Sequence, residues 1–188
     1  MKVNQQENCS IDYVGVCDTP KENTEDRHKK VKLSHENYVD RYLGLYEYDQ
    51  YKKWLFQKVV IPIIKKYVQR DIVLEIGCSK GYLLEELEEH GYEAIGIDIS
   101  PSALRHARSL DYSHSLNAIR ADGENPPIAK ESMHAVLAIN TLEHLPSPEA
   151  AIQSSQRVLK ASGLFLAITP NKDSVLAKIA KKLCPIRH

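Results

Sequence analysis

The stretch Leu74–Gly81, which reads LEIGCSKG, decides the fold of this chain. An apolar run enters a short turn with a glycine at each end, and an amphipathic helical pattern follows directly. Gly77 lets the backbone reverse sharply without a Cβ clash, and Gly81 lets the chain lie close to a ligand. In open α/β sheets, ligands bind beyond the carboxyl ends of the strands, near the switch in strand order. The stretch therefore predicts a strand, a ligand-binding turn and a helix.

Outward from this turn, short β-branched runs alternate with amphipathic helices. The predicted strands are 72–76, 93–97, 118–121, 135–139 and 164–169. Serine–proline pairs at 100–101 and 147–148 are typical of capped helix starts, and Gly91 and Gly163 are typical of helix ends. Five near-continuous apolar runs separated by helices indicate a parallel sheet. We predict an α/β, Rossmann-like sheet of strand order 3-2-1-4-5 with flanking helices.

The segment before this sheet differs from it in polarity and in the spacing of its apolar residues. Residues 1–34 are polar and lack apolar periodicity, so we predict a disordered leader there. Residues 35–69 carry apolar side chains at helical spacing, interrupted at Pro62, and predict a helical lead-in. Its aromatic part, Tyr38–Tyr51, either covers the site as a lid or packs on the sheet. The remainder, 70–188, is predicted to form the binding domain.

The composition argues against several classes of protein. The 188 residues carry 25 Lys and Arg and 25 Asp and Glu, and zero net charge argues against bulk attraction to nucleic acid or anionic membranes. Four scattered cysteines argue against a disulfide framework or a zinc site. No apolar run approaches the roughly 18 residues that span a bilayer, and no signal-peptide pattern begins the chain. We expect a soluble, cytoplasmic protein without nucleic-acid or membrane partners.

Asp98 lies at the predicted end of the second strand, 21 residues after Gly77. A carboxylate there can accept two hydrogen bonds from the vicinal hydroxyls of a ribose, each contributing roughly 1.5–3 kcal/mol. Capping of the next helix, the alternative role, is better served by Ser100. Glu75 precedes the turn, where an acidic group would repel the pyrophosphate of a dinucleotide but attract an ammonium group. These charges favour S-adenosylmethionine (SAM), which carries an ammonium and a sulfonium but no phosphate.

The same residues resemble the class I SAM-dependent methyltransferases, including small-molecule and quinone-biosynthesis members. Residues 75–81 resemble the family's E/D-x-G-x-G-x-G loop, with Ser79 in place of the middle glycine. Asp98 matches the ribose-binding acid, and Asp122 matches the residue that meets the adenine amino group. The later segments that resemble family motifs are 142–144 (LEH), 157–163 (RVLKASG) and 169–171 (TPN). The match spans about residues 70–171.

The resemblance implies a SAM-binding methyltransferase domain over residues 70–188. It implies transfer of a methyl group to an oxygen, nitrogen or carbon nucleophile of a small-molecule acceptor. The cofactor contacts that it implies are Glu75, Gly77, Cys78, Ser79, Gly81, Asp98, Ile99, Asp122, Gly123 and Asn140. Two other classes stay open: a SAM-binding homologue without catalysis, and an NAD-dependent oxidoreductase or epimerase. A hallmark of the latter, a third glycine at the helix start, is not found.

His144 is the predicted catalytic residue. A histidine beside the methyl donor can remove a proton from the attacking group, or it can pack against the cofactor and shape the turn. A metal-binding pattern resembling E-x-x-E-H would need a glutamate where this chain has Asn140, so we predict no metal. Cys78 is predicted to pack rather than to act as a nucleophile, because no base is evident beside it.

The predicted sheet lacks the last two strands of the family fold. The family fold closes with two further strands beside the fifth, whereas this sequence passes through a predicted helix over 175–183 and stops at His188. An edge strand with unpaired backbone groups invites pairing with another chain. We therefore predict a C-terminally truncated domain and a homodimer formed through the exposed fifth strand.

Overall fold

The computed structural model describes residues 46–69, 71–110, 112 and 115–171. Its strands are β1 (Ile72–Ile76), β2 (Glu93–Asp98), β3 (Asn117–Arg120), β4 (Met133–Ile139) and β5 (Leu159–Ile168). They form one five-stranded sheet in the order β3-β2-β1-β4-β5, in which every neighbouring pair is parallel. The predicted parallel sheet and its strand order are confirmed.

Helices precede and connect the strands. They are α1 (Tyr46–Leu55), α2 (Ile61–Tyr67), α3 (Tyr82–Glu89), α4 (Pro101–Ser109) and α5 (Pro148–Val158). The two predicted caps are confirmed: Ser100 Oγ accepts a hydrogen bond from Ala103 N at 3.2 Å, and Ser147 Oγ accepts one from Ala150 N at 3.3 Å. Proline follows each cap, at a position where the helix needs no N–H donor. Both helices therefore begin where the sequence predicts.

The fifth strand begins five residues earlier than predicted. The sequence predicted that Gly163 would end α5, but that helix ends before Leu159, where β5 starts. Met133 of β4 pairs with Leu159 of β5, but Ala135, two residues later, pairs with Leu164. The extra residues of β5, 160–163, therefore form a bulge. A Cβ on Gly163 would lie 3.2 Å from the carbonyl oxygen of His134. The glycine marks a bulge in a strand rather than a helix end, because backbone oxygens of the bulge itself and of β4 crowd the position where a side chain would begin.

The lead-in helix, Tyr46–Tyr67, consists of α1, a π-helical turn over Phe56–Val60, and α2. A hydrogen bond from Ile61 N to Phe56 O closes the π turn. The irregular turn comes just before Pro62, which lacks the N–H donor that a regular helix would use there. The predicted interruption at this proline is confirmed. The buried residues of the lead-in helix join the main apolar core on one face of the sheet.

Some predictions concern residues outside those described: the leader 1–34, the lead-in over 35–45 and the helix over 175–183. Within the described ranges, β5 pairs with β4 alone and forms an edge of the sheet. The homodimer through this edge stays a prediction. No helix among the described residues combines the length and the apolar character that crossing a bilayer requires.

Candidate cofactor site

The turn after β1 has a left-handed backbone at three alternate residues. Gly77 has φ +78°, Ser79 has φ +48° and Gly81 has φ +80°. A left-handed backbone strains a residue that carries a Cβ by roughly 1–2 kcal/mol. The alternate glycines of the family loop are therefore a requirement of the turn itself. Ser79 is the position where this chain adopts that conformation with a side chain.

Asp98 holds this turn in place. Its Oδ2 accepts a hydrogen bond from Ser79 N at 2.8 Å, and its Oδ1 accepts one from Ser100 N at 2.8 Å. The residue is only 9% exposed. Each carboxylate oxygen has a second lone pair, so Asp98 can accept further hydrogen bonds from a ligand. The ends of β1 and β2 are thus in direct contact through this side chain.

Gly77 lets the segment after β4 approach the same turn. Gly77 N and Cys78 N donate hydrogen bonds to Ile97 O at 2.8 and 3.0 Å, which ties the turn to β2. A Cβ on Gly77 would lie 2.6 Å from Cγ2 of Thr141, a distance that real side chains do not adopt. The missing side chain therefore sets the spacing between the carboxyl ends of β1 and β4. Sequence reasoning did not single out Thr141, whose one signal is its place next to Asn140.

Glu75, near the end of β1, is a buried carboxyl group with an unsatisfied oxygen. It is 3% exposed, and its Oε2 has no hydrogen-bond partner within the described part of the chain. Burial raises the pKa of this carboxyl to about 8; the Lys52 ammonium opposes the rise, and the Asp98 carboxylate adds to it. An unpaired buried polar atom is destabilising by about 1–3 kcal/mol. A ligand that donates a hydrogen bond to Glu75, above all a cation, would remove that penalty.

Cys78 packs beneath the turn. Its Sγ would lie 2.8 Å from a Cβ built on Gly96, so the thiol fills the space beside β2. Burial, and then the neighbouring carboxylates of Glu75 and Asp98, raise the pKa of this thiol well above its ordinary value. A buried, protonated thiol is a poor nucleophile. These observations support the predicted packing role.

Asp122 and Gly123 follow β3 and lie beside the ends of β1 and β2. The residue before Asp122 donates a backbone hydrogen bond to Asp98 O at 3.1 Å. Asp122 Oδ1 accepts one from Glu124 N at 2.9 Å, which fixes the turn. A Cβ on Gly123 would lie 2.5 Å from Cγ2 of Ile76. Gly123 therefore determines how closely this segment approaches the end of β1.

Ile99 follows β2, and Asn140 and His144 follow β4, so all three belong to the same edge of the sheet. Asn140 has φ +51° and donates from N to Ile168 O at 2.7 Å. His144 ends a short 3-10 helix, and its Nε2 lies 4.0 Å from Oε1 of Glu143. Its side chain is 31% exposed. The imidazole is therefore accessible at the edge where ligands bind in sheets of this type.

The carboxyl ends of four neighbouring strands, β1 to β4, thus gather every residue that the sequence assigned to the cofactor. Among the described residues, no group of three His, Cys, Asp or Glu side chains is arranged to hold a metal ion. The expectation of no metal stays a prediction.

Replacing Ser79 by glycine should stabilise the protein. Relief of left-handed strain outweighs the added freedom of the unfolded chain, and the net gain is about 0.5 kcal/mol in the free energy of unfolding. Ser162, which has φ +62° in the exposed bulge of β5, offers a matched control. Ser162→Gly should give a gain of similar size in urea denaturation. A loss of stability in Ser79→Gly alone would show that the Ser79 hydroxyl contributes to the turn.

Comparison with known proteins identifies the class. The pattern of the methyltransferase domain family matches residues 74–167, half of the chain. A ubiquinone biosynthesis O-methyltransferase from Alkalilimnicola ehrlichii is 30% identical over 109 residues, covering 54% of this chain and 42% of that protein. A crystal structure of SAM-dependent methyltransferases from Methanosarcina mazei is 26% identical, with a TM-score of 0.53 and coverage of 66% of each chain. A Pyrococcus horikoshii protein gives a TM-score of 0.61 at 24% identity, over 75% of this chain and 62% of that one.

The chain belongs to the methyltransferase domain family, as the motifs predicted. SAM is the cofactor of this family, and the residues described above fit it. They include a buried carboxyl oxygen with no partner among the described residues, a second carboxylate that can accept further hydrogen bonds, and a turn with little side-chain bulk. The chain spans about half the length of the curated relatives it matches.

Proposed function

We propose that this chain binds SAM at the carboxyl edge of the sheet and takes part in methyl transfer to a small molecule. Asp98 accepts hydrogen bonds from the ribose hydroxyls, and Glu75 receives the ammonium group. The adenine lies beside Ile99 and Asp122. When bound, SAM supplies an electrophilic methyl group on its sulfonium.

The unpaired oxygen of Glu75 is the observation that supports this proposal most strongly. A ligand ammonium at hydrogen-bond distance would satisfy Oε2 and favour the ionised carboxylate. The pyrophosphate of a dinucleotide has no hydrogen-bond donor to offer to Oε2, and its negative charge would oppose ionisation of the Glu75 carboxyl group. The charges of the site therefore favour SAM over NAD.

An oxygen of a small molecule is the acceptor that we propose, ahead of nitrogen or carbon. Its support is the name of the related proteins, which are O-methyltransferases of ubiquinone biosynthesis. His144 is accessible at the same edge and is proposed as the base that removes the hydroxyl proton as the oxygen attacks. The other role of the protein is to hold that oxygen in line with the methyl group, which depends on position rather than on a further catalytic group.

Substitution of Asp98 tests the proposed binding mode. Asp98→Ala removes two hydrogen bonds to a charged acceptor, so the dissociation constant for SAM should rise at least about 100-fold. Asp98→Asn keeps one acceptor oxygen and should give a smaller rise. Isothermal titration calorimetry with SAM, and in parallel with NAD, measures both affinities.

Asp71→Asn provides the control for this experiment, because Asp71 lies before β1 at the opposite end of the strand. Its affinity for SAM should equal that of the parent protein. Thermal unfolding of each variant separates a ligand effect from loss of the turn, since Asp98 also accepts hydrogen bonds from Ser79 N and Ser100 N. Unchanged SAM affinity in a folded Asp98→Ala protein, or tighter binding of NAD than of SAM, would contradict the proposal.

A further inference from the structure

The outward side of the lead-in helix carries exposed aromatic and basic residues in one stripe. Tyr51 and Trp54 are 51% and 55% exposed, large fractions for aromatic side chains. Lys58, Lys65 and Lys66 are exposed farther along the same helix. Tyr51, Trp54 and Lys58 recur at three- and four-residue spacing, which places them on one helix face. We call these five residues the outward stripe.

The charge around this stripe is strongly one-sided. The lead-in helix contains five lysines, against two acidic residues in its first turn (Glu47 and Asp49), although the whole chain has zero net charge. The sequence prediction of no membrane partner rested on that overall balance. Attraction to a surface depends instead on the local field, which weakens over a Debye length of roughly 8 Å at physiological salt. One side of the lead-in helix is therefore basic even though the protein is neutral.

We propose that the outward stripe docks the protein on the surface of an anionic lipid bilayer. Tryptophan and tyrosine are the residues enriched where a bilayer meets water, because one part of the ring system is apolar and the other is polar. Lysines on the same face attract anionic headgroups, and their apolar stems lie along the interface. A helix that lies in the interface needs this arrangement and no spanning length.

Two other partners fit the stripe less well. Single-stranded nucleic acid binds by stacking bases on aromatic faces, but Tyr51 and Trp54 stack on each other, with ring centres 6.4 Å apart and planes at 23°. A second copy of this chain would bring two basic stripes together, and like charges repel. A lipid surface needs neither open ring faces nor a shape-matched groove.

The outward stripe lies on the outer side of the lead-in helix, and the first turns of that helix lie near the cofactor site. The Lys52 ammonium, on α1, acts on the charge of Glu75 at the end of β1, so the first part of the lead-in helix lies near the mouth of the site. The stripe itself is independent of the proposed methyl transfer. Lipid binding and SAM binding can therefore succeed or fail separately.

Trp54 is the one tryptophan in the sequence, so its fluorescence reports on the stripe alone. The full chain is titrated with vesicles of phosphatidylcholine, and with vesicles of equal parts phosphatidylcholine and phosphatidylglycerol. We expect a blue shift of Trp54 emission with the anionic vesicles and none with the neutral ones. The triple variant Lys58→Gln/Lys65→Gln/Lys66→Gln should bind about 100-fold more weakly, from the usual contribution of a lysine near an anionic surface.

A matched control removes three exposed cations elsewhere: Arg105→Gln/Arg108→Gln/Lys130→Gln. It should bind anionic vesicles as the parent does, and all three proteins should share one thermal unfolding midpoint. Equal binding by the two triple variants, or the absence of a blue shift on anionic vesicles, would overturn the proposal. So would binding of a single-stranded oligonucleotide that is lost in the stripe variant while vesicles are ignored.

Discussion

Without ligand, the Glu75→Gln variant is expected to gain stability relative to the parent protein as the pH rises. Between pH 4 and pH 9, the difference in their free energies of unfolding should shift in favour of the variant by up to about 5 kcal/mol. The cause is the carboxyl group buried in β1, whose pKa is raised to about 8, chiefly by burial. Glutamine has nearly the same shape and no charge to bury.

The pH window of this effect follows from the direction of the shift. Near pH 4 the carboxyl is protonated in both states, and the native protein bears no cost of ionisation. As the pH rises from 4.5 to 8, the unfolded chain releases the proton while the folded chain retains it, so the stability of the parent falls. Above pH 8 both states are ionised and the difference becomes constant.

Urea denaturation of both proteins between pH 4 and pH 9 measures this curve, with Glu93→Gln as a control. Glu93, on β2, is exposed, so its substitution should leave the pH dependence unchanged. A stability difference between parent and Glu75→Gln that does not vary with pH would show that Glu75 is already ionised in the ligand-free protein.

The same variant also tests the proposed ammonium contact. Loss of a hydrogen bond between two charged groups should weaken SAM binding about 10- to 100-fold. Because the cation favours the ionised carboxyl, SAM binding by the parent at pH 7 should release close to one proton. Calorimetry in buffers of different ionisation enthalpy counts that proton, and Glu75→Gln should release none.

Replacing Gly77 by alanine is expected to lower the free energy of unfolding by about 3 kcal/mol. Part of the loss comes from φ +78°, and part from a new Cβ placed 2.6 Å from Cγ2 of Thr141. Gly91 separates the two causes, since it has φ +80° at an exposed position after α3. Gly91→Ala should therefore cost about 1–2 kcal/mol, the strain alone.

A second change tests the contact directly. In Gly77→Ala/Thr141→Ala the side-chain atoms that crowd the new Cβ are gone, so the double variant should be at least about 1 kcal/mol more stable than the sum of the two single effects predicts. Urea denaturation of the four proteins gives this coupling. Strict additivity would mean that the backbone moves freely at Gly77 and that the spacing of β1 and β4 is set elsewhere.

The sequence predicted the sheet well because its strands and helices carry strong local signals. β1 is an apolar run, interrupted by Glu75, between a polar residue and a glycine, and its bounds are those predicted. Ser100 and Ser147 identified two helix starts through their cap chemistry. The start of β5 was wrong, because a glycine after an apolar helix face resembles a helix end and the bulge depends on the partner strand.

The candidate site was predictable where it depends on backbone conformation and less so where it depends on packing. Gly77 and Gly81 have the left-handed backbone that their residue type indicates. The role of Thr141 has no sequence signal of its own, since only the fold places it against the turn. Lys52 likewise comes from a helix 23 residues before Glu75 in the sequence, and only tertiary packing brings its charge near that carboxyl group.

The π-helical turn over Phe56–Val60 determines which way the side chains of the preceding helix, α1, face. Phe56, Val60, Ile64 and Val68 are all buried and recur every four residues. In a regular helix each four-residue step drifts by about 40°, so the three helical members, Phe56, Val60 and Ile64, would wind about 80° around the axis, away from the sheet. The π-helical turn has more residues per turn than an α-helix, so it reverses much of that rotation and keeps the buried side chains on one face. Deleting a single residue there would rotate the preceding part of the helix by about 100° and move Trp54 into the position of the buried Leu55, toward the interior.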